Sequence, residues 1–136
     1  GISYYRKWST RTVAQLGETI AEARLRFGAE VIVVETAYPF TNEGVDEMPN
    51  LLGPDTLIDQ YPATPAGQLA YLVDLTQLVA DHGGVGVVYW EPAWVSTGCK
   101  TRWGTGSSWE NAAWFDLKDH EALPAFEFLG REYRPR

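Results

Sequence analysis

Two hydrophobic periods alternate along this chain. Between Val13 and Phe27 apolar residues recur about every 3.6 positions (Val13, Leu16, Ile20, Phe27), which predicts an amphipathic helix capped by Thr10 or Thr12 and stopped by Gly28. The same spacing returns at Leu69, Leu72, Val73, Leu75, Leu78 and Val79. Thr64-Pro65 opens this second helix with an N-cap and a proline at the first helical position, and His82-Gly83-Gly84 ends it. Around the helices stand short runs rich in β-branched and aromatic residues: Gly1–Tyr5, Glu30–Thr36 and Gly86–Trp90. Runs of this kind, apolar without strict alternation, predict strands buried on both faces, as in parallel sheets. A weaker helical pattern covers Leu123 to Leu129.

The connections are uneven. Ala37 to Ala63, a stretch of about 27 residues, holds Pro39, Gly44, Pro49, Gly53, Pro54 and Pro62, and Glu91 to Asp119 is equally irregular. Both follow strands, whereas the turns that lead back into strands are short. Long loops only at the carboxyl ends of strands predict an α/β barrel or a doubly wound sheet, with function gathered at those ends. Three parallel strands cannot close a (β/α)8 barrel, and an open sheet of three would leave both edges unpaired. Residues 1–136 therefore read as the last three βα units of one larger domain.

Composition narrows the partners. The formal charge of −7 disfavours nucleic acid and anionic membranes alike, and no stretch reaches the roughly 20 apolar residues of a membrane span. Cys99 is the sole cysteine, so no internal disulfide can form. The chain begins at Gly1 without an initiator Met, so the lack of a leader carries no weight. Aromatic residues reach 13%, with most of the six Trp between Trp90 and Trp114. Such rings pack cores well, but several in one polar, Gly-rich loop suit a carbohydrate groove.

Chemistry concentrates on Glu35, an acid that closes the buried run Val31-Ile32-Val33-Val34. A salt bridge at a strand end is the plain explanation. A carboxylate on the floor of a barrel's active-site face is the functional one.

The strings Val34-Glu35-Thr36-Ala37-Tyr38-Pro39, Tyr89-Trp90-Glu91-Pro92-Ala93-Trp94 and Gly106-Ser107-Ser108-Trp109-Glu110-Asn111 resemble those of the endo-β-1,4-galactanases, glycoside hydrolase family 53. Gly1-Ile2-Ser3-Tyr4-Tyr5 resembles the family's sixth strand, and the likeness runs nearly end to end in the same order. It implies a (β/α)8 TIM barrel that hydrolyses β-1,4-galactan, the side chain of pectic arabinogalactan, with retention of configuration. It also implies secretion. Glu35 takes the position of the nucleophile at the end of the seventh strand. A tyrosine at the end of the sixth strand donates to the nucleophile in this clan. Alternation along the strand puts Ser3 and Tyr5 on one face and Tyr4 on the other, which favours Tyr5, with Tyr4 in reserve. Trp90 is expected to form the sugar platform beside the scissile bond, and Tyr38, Trp94 and Trp103 more distant subsites.

Glu91 and Glu110 are expected to brace the last long loop through Arg102 or backbone amides, His82 to meet a helix end, and His120 to lie on the surface. Some bacterial relatives bind calcium between the last two long loops. Asn42 to Glu47 offers carboxylates without the alternating oxygen ligands of a calcium loop, so no cofactor is expected and calcium there is the lesser reading. The family's acid/base, a glutamate after an asparagine at the end of the fourth strand, has no counterpart here. The 136-residue chain alone is thus expected to be inactive, and to need the N-terminal part of the barrel or a second copy of itself as partner. Two alternatives keep the fold: a non-catalytic galactan-binding remnant, and a retaining endo-glycanase of the same clan acting on mannan or xylan.

Overall fold

The computed structural model describes residues 1–136. Three parallel strands, β1 (Ile2–Ser3), β2 (Val33–Thr36) and β3 (Val87–Tyr89), lie in the order β1-β2-β3. Helices α1 (Val13–Phe27) and α2 (Pro65–Asp81) form the two crossovers, and a 3-10 helix (Pro124–Gly130) follows β3. No helix is long and apolar enough to cross a membrane.

Both helices start where their caps dictate. Thr12 Oγ1 accepts from the Gln15 amide at 3.2 Å, and Gln15 Oε1 accepts from the Thr12 amide at 2.9 Å, a reciprocal capping box. Gly28 ends α1 at φ 61° with its amide on the Arg24 carbonyl. Thr64 caps α2, its hydroxyl accepting from the Gly67 amide at 3.0 Å. Leu16 and Ile20 of α1 and Leu72, Leu75 and Val79 of α2 are buried in one core with Val31 and Val33. Each such side chain contributes about 1.5–3 kcal/mol on burial. Phe27, expected in the α1 stripe, is instead 70% exposed, with the Arg26 guanidinium over its ring.

The sheet has two unlike faces. Val33 and Thr36 are fully buried towards the helices, while Val34 and Val88 on the other face are 42% and 48% exposed. That second face is the one a barrel turns to its axis.

Three expectations shift in detail. β2 is shorter than Glu30–Thr36, because the Val31 and Ile32 carbonyls make single bonds to Val85 and Ile2 before the regular ladder begins. The last helix is 3-10, held to α2 through Ala125 and Phe128. Within the loop after β3 an unforeseen hairpin forms, β4 (Lys100–Thr101) paired with β5 (Gly104–Thr105).

Candidate active site

The three strands deliver their ends to one edge of the sheet. Ser3 pairs in register with Glu35, and the Tyr4 amide donates to the Glu35 carbonyl at 2.8 Å. The next residue swings back towards the Glu35 side chain: Tyr5 Oη donates to Oε1 at 2.7 Å, while Ser3 Oγ lies 3.5 Å from Oε2. Tyr4 points the other way and donates to the Arg11 carbonyl at 3.1 Å. The two tyrosines, both just beyond β1, thus leave the chain on opposite sides. Burial, and then the Glu35 carboxylate itself, push the Tyr5 phenol far above its ordinary value. It stays a proton donor.

Aromatic rings surround this pair. Tyr5 meets Trp8 edge-on at 5.0 Å between centroids and Trp109 at 5.7 Å; Trp109 in turn lies 6.2 Å from both Trp8 and Trp90. Trp90 is half-buried, and Trp8 is 53% exposed. Sequence reasoning missed Trp8 and Trp109 as site residues. Trp109 sits inside a string used for the family likeness, and Trp8 stands three residues beyond Tyr5, so both were in view.

A cleft of about 410 Å³ continues from this cluster between the two long loops. Met48 and Leu51 wall one side, and Trp94, Trp103, Ser108 and Trp109 the other. Trp94 and Trp103 thus do line a groove. Trp103 is 69% exposed, and the Arg102 guanidinium lies 4.6 Å from its ring centroid.

Tyr38 does not join them, and its expected role as a subsite is corrected. It is 1% exposed and stacks on Tyr71 at 4.2 Å. Its hydroxyl donates to the Tyr61 carbonyl at 2.7 Å and accepts from the Ile58 amide at 2.9 Å. A ring enclosed in this way has no face left for a sugar.

The loops are fastened from below by buried polar groups. Gln68 of α2, fully buried, directs Nε2 at the carbonyls of Tyr38, Ala112 and Ala113 and at the Tyr89 hydroxyl, all within 2.8–3.3 Å. Tyr89 Oη donates to the Ala112 carbonyl at 2.7 Å and accepts from the Tyr38 amide at 3.1 Å. Asn111 Nδ2 reaches the carbonyls of Leu52 and Thr41 at 2.7 and 3.1 Å. Glu110 does brace through a backbone amide, but that of Val45 in the opposite loop, at 2.9 Å. Arg102 takes no part. Burial raises the Glu110 carboxyl above its ordinary value, against the lowering effect of the Val45 hydrogen bond.

Glu91 adopts φ 54°, and its carbonyl accepts from the Trp94 amide. His82 Nδ1 lies 2.9 Å from the Leu78 carbonyl at the end of α2, and His120 is exposed. In the stretch Asn42 to Glu47, Asp46 commits both oxygens to hydrogen bonds, and no three His, Cys, Asp or Glu side chains converge as metal ligands would.

Comparison with known proteins bears on this geometry. The model of glycosyl hydrolase family 53 matches residues 1–129. An arabinogalactan endo-β-1,4-galactanase of Cellvibrio japonicus is 50% identical over 135 residues, covering 98% of this chain and 36% of the relative. An endo-β-1,4-galactanase of Bacillus subtilis is 35% identical over 129 residues, covering 86% of this chain and 30% of the relative. Among solved structures, the GH53 catalytic domain of Ignisphaera aggregans superposes with a TM-score of 0.83 at 28% identity, over 98% of this chain and 38% of that one. A structure of fungal β-1,4-galactanases superposes at 0.71 with 23% identity, which speaks for the fold alone. This chain therefore spans about a third of the proteins it matches, and its three βα units are part of their TIM barrel. It belongs to glycosyl hydrolase family 53.

Proposed function

We propose that residues 1–136 form the C-terminal part of a secreted, retaining endo-β-1,4-galactanase and supply the nucleophile half of its active site. The observation that carries this reading is the 2.7 Å hydrogen bond from Tyr5 to Glu35 at adjoining strand ends, beneath the ring cluster of Trp8, Trp90 and Trp109. Retention uses two carboxyl groups about 5–5.5 Å apart. In the first step an oxygen of Glu35 bonds to the anomeric carbon as the glycosidic bond breaks. The departing oxygen takes a proton from the second carboxyl group, which we assign to the preceding part of the barrel. In the second step water attacks that carbon, returns its proton to the second carboxylate and frees Glu35. Tyr5 fixes the carboxylate for in-line attack, and Trp90 presents a flat face to the sugar ring beside it. Trp94 and Trp103 extend the contact along the cleft.

The relatives named for galactan degradation support β-1,4-galactan as the substrate. The rest of the barrel is the expected partner, since the edges of β1 and β3 and the exposed Val34 and Val88 all need cover. No step needs a metal.

The test is Glu35→Ala in the intact enzyme. Galactan hydrolysis should fall by at least about 10³-fold, and azide should restore turnover while leaving a glycosyl azide of inverted anomeric configuration. Activity within tenfold of the parent, or no azide product, would overturn the assignment. The 136-residue chain by itself should release no reducing ends from galactan.

A further inference from the structure

The cleft beyond Trp90 depends on how far the loop after β3 stands from the loop after β2, and one side chain spans that gap. Asp46 Oδ2 accepts from the Ser107 amide at 2.8 Å and also from the Ser96 hydroxyl, while Oδ1 accepts from the Met48 amide at 2.6 Å. Ser96 and Ser107 are the two ends of the excursion that carries the β4–β5 hairpin, with Trp103 at its tip. Ser107 Oγ closes the same base again by donating to the Trp94 carbonyl at 3.0 Å. One carboxylate thus holds both stems of the segment that places Trp103.

The neighbouring glycine is fitted to that grip. Gly106 has φ 100°, and a Cβ there would lie 2.5 Å from the Asp46 carboxyl. Both the left-handed backbone and the close approach require glycine. Burial pushes the Asp46 carboxyl up, but the donors from Ser96, Ser107 and Met48 outweigh it and hold it below the usual carboxylate range. It is therefore an anion at neutral pH, and hydrogen bonds to a charged acceptor are the stronger kind.

We infer that Asp46 is a positioning residue for chain-length recognition: by clasping Ser96 and Ser107 it holds the Trp94–Trp103 wall against Met48 and Leu51, and so sets the distal part of the cleft without touching the reacting atoms. This rests on the galactanase reading of the site. Long galactan chains, which reach the distal wall, should feel its loss, and short substrates confined to Glu35 and Trp90 should not.

The experiment uses the intact enzyme with Asp46→Ala, Asp46→Asn, Ser96→Ala and Trp103→Ala. Lys100 and Arg102 lie exposed inside the clasped segment and report its opening to trypsin independently of activity. For Asp46→Ala, cleavage after these two residues should speed up at least about tenfold, since one charged hydrogen bond alone is worth that much and two reach the stems, and KM for long galactan should rise about as much. The kcat on long chains and the kcat/KM for a chromogenic galactobioside should hold within about twofold, Asp46→Asn falling between. Ser96→Ala, which removes one donor and keeps the charge, should show the same trend should Asp46→Ala not fold. Unchanged cleavage in a folded Asp46→Ala protein would overturn the clasp. Faster cleavage with unchanged KM would overturn its role in recognition. If Trp103→Ala also leaves KM unchanged, the fault lies in the placement of galactan in the cleft; if it raises KM, the fault lies with Asp46 alone.

Discussion

Tyr5 and Glu35 are 30 residues apart in sequence and 2.7 Å apart in space, joined hydroxyl to carboxylate across neighbouring parallel strands. The contact follows from a register, Ser3 against Glu35, reached through a shift in the β1–β2 pairing between Ile2 and Ser3. It places a neutral, buried donor on the carboxylate we propose as nucleophile.

Replacing that donor tests its part. Tyr5→Phe keeps the ring contacts with Trp8 and Trp109 and removes only the hydroxyl. The kcat on galactan in the intact enzyme should fall about 10²-fold with KM little changed, as when one fixed donor is lost from an active site. Steady-state kinetics decides it: an equal fall from Tyr4→Phe would show the two tyrosines to be wrongly sorted.

Alkaline stability is a second consequence. Burial raises the phenols of Tyr5, Tyr71 and Tyr89 well above their ordinary value, and lifts Tyr61 to about 12. A folded pKa above the unfolded one means stability that is full below the unfolded tyrosine value, about 10, and lost as pH rises through the folded values. Urea midpoints should hold from pH 8 to about 10 and fall steadily above it. Midpoints level to pH 12 would contradict the burial of these hydroxyls.

Glu110 carries the same sign at lower pH. Its carboxyl is raised by burial, so its contribution is complete below the ordinary carboxylate value and is lost as pH rises through the raised one. Glu110→Gln keeps an acceptor for the Val45 amide and removes the charge. The variant should melt roughly 2–4 °C above the parent at pH 7, with the gap closing towards pH 4. Differential scanning calorimetry at both pH values checks this.

Gly67 and Tyr38 separate structure from function. A Cβ at Gly67 would stand 2.0 Å from the Pro62 carbonyl oxygen, a backbone atom that cannot step aside cheaply. Gly67→Ala should therefore cost about 1–3 kcal/mol by denaturant titration. Tyr38→Phe loses the hydrogen bonds to Tyr61 and Ile58 and should lower stability by a similar amount while leaving KM for galactan unchanged. A raised KM with normal stability would return Tyr38 to the substrate.

Much of this architecture was legible in the order of residues. The apolar periods located α1, α2 and the three strands, and Thr12, Gly28 and Thr64 marked helix ends as their chemistry demands. Alternation alone separated Tyr5 from Tyr4. Alternation gave no such guide to Tyr38, because β2 ends at Thr36 and its register shifts between Val33 and Thr36; loop aromatics invited a sugar-binding role that burial denies. What stayed hidden was tertiary. Nothing local in Asp46 or Glu110 shows that their partners lie at positions 96 and 45, because those bonds form only once two long loops pack together, and Gln68 finds Ala112 only once α2 packs beneath the last loop.

The glycine at position 106 turns the clasp into a constraint on heredity and on engineering. Because the Asp46 carboxyl fills the space a side chain would occupy, a side chain at position 106 and the carboxylate at position 46 exclude one another. A hairpin transplanted from a relative to alter product length would arrive without its anchor unless position 46, half a chain away, travelled with it.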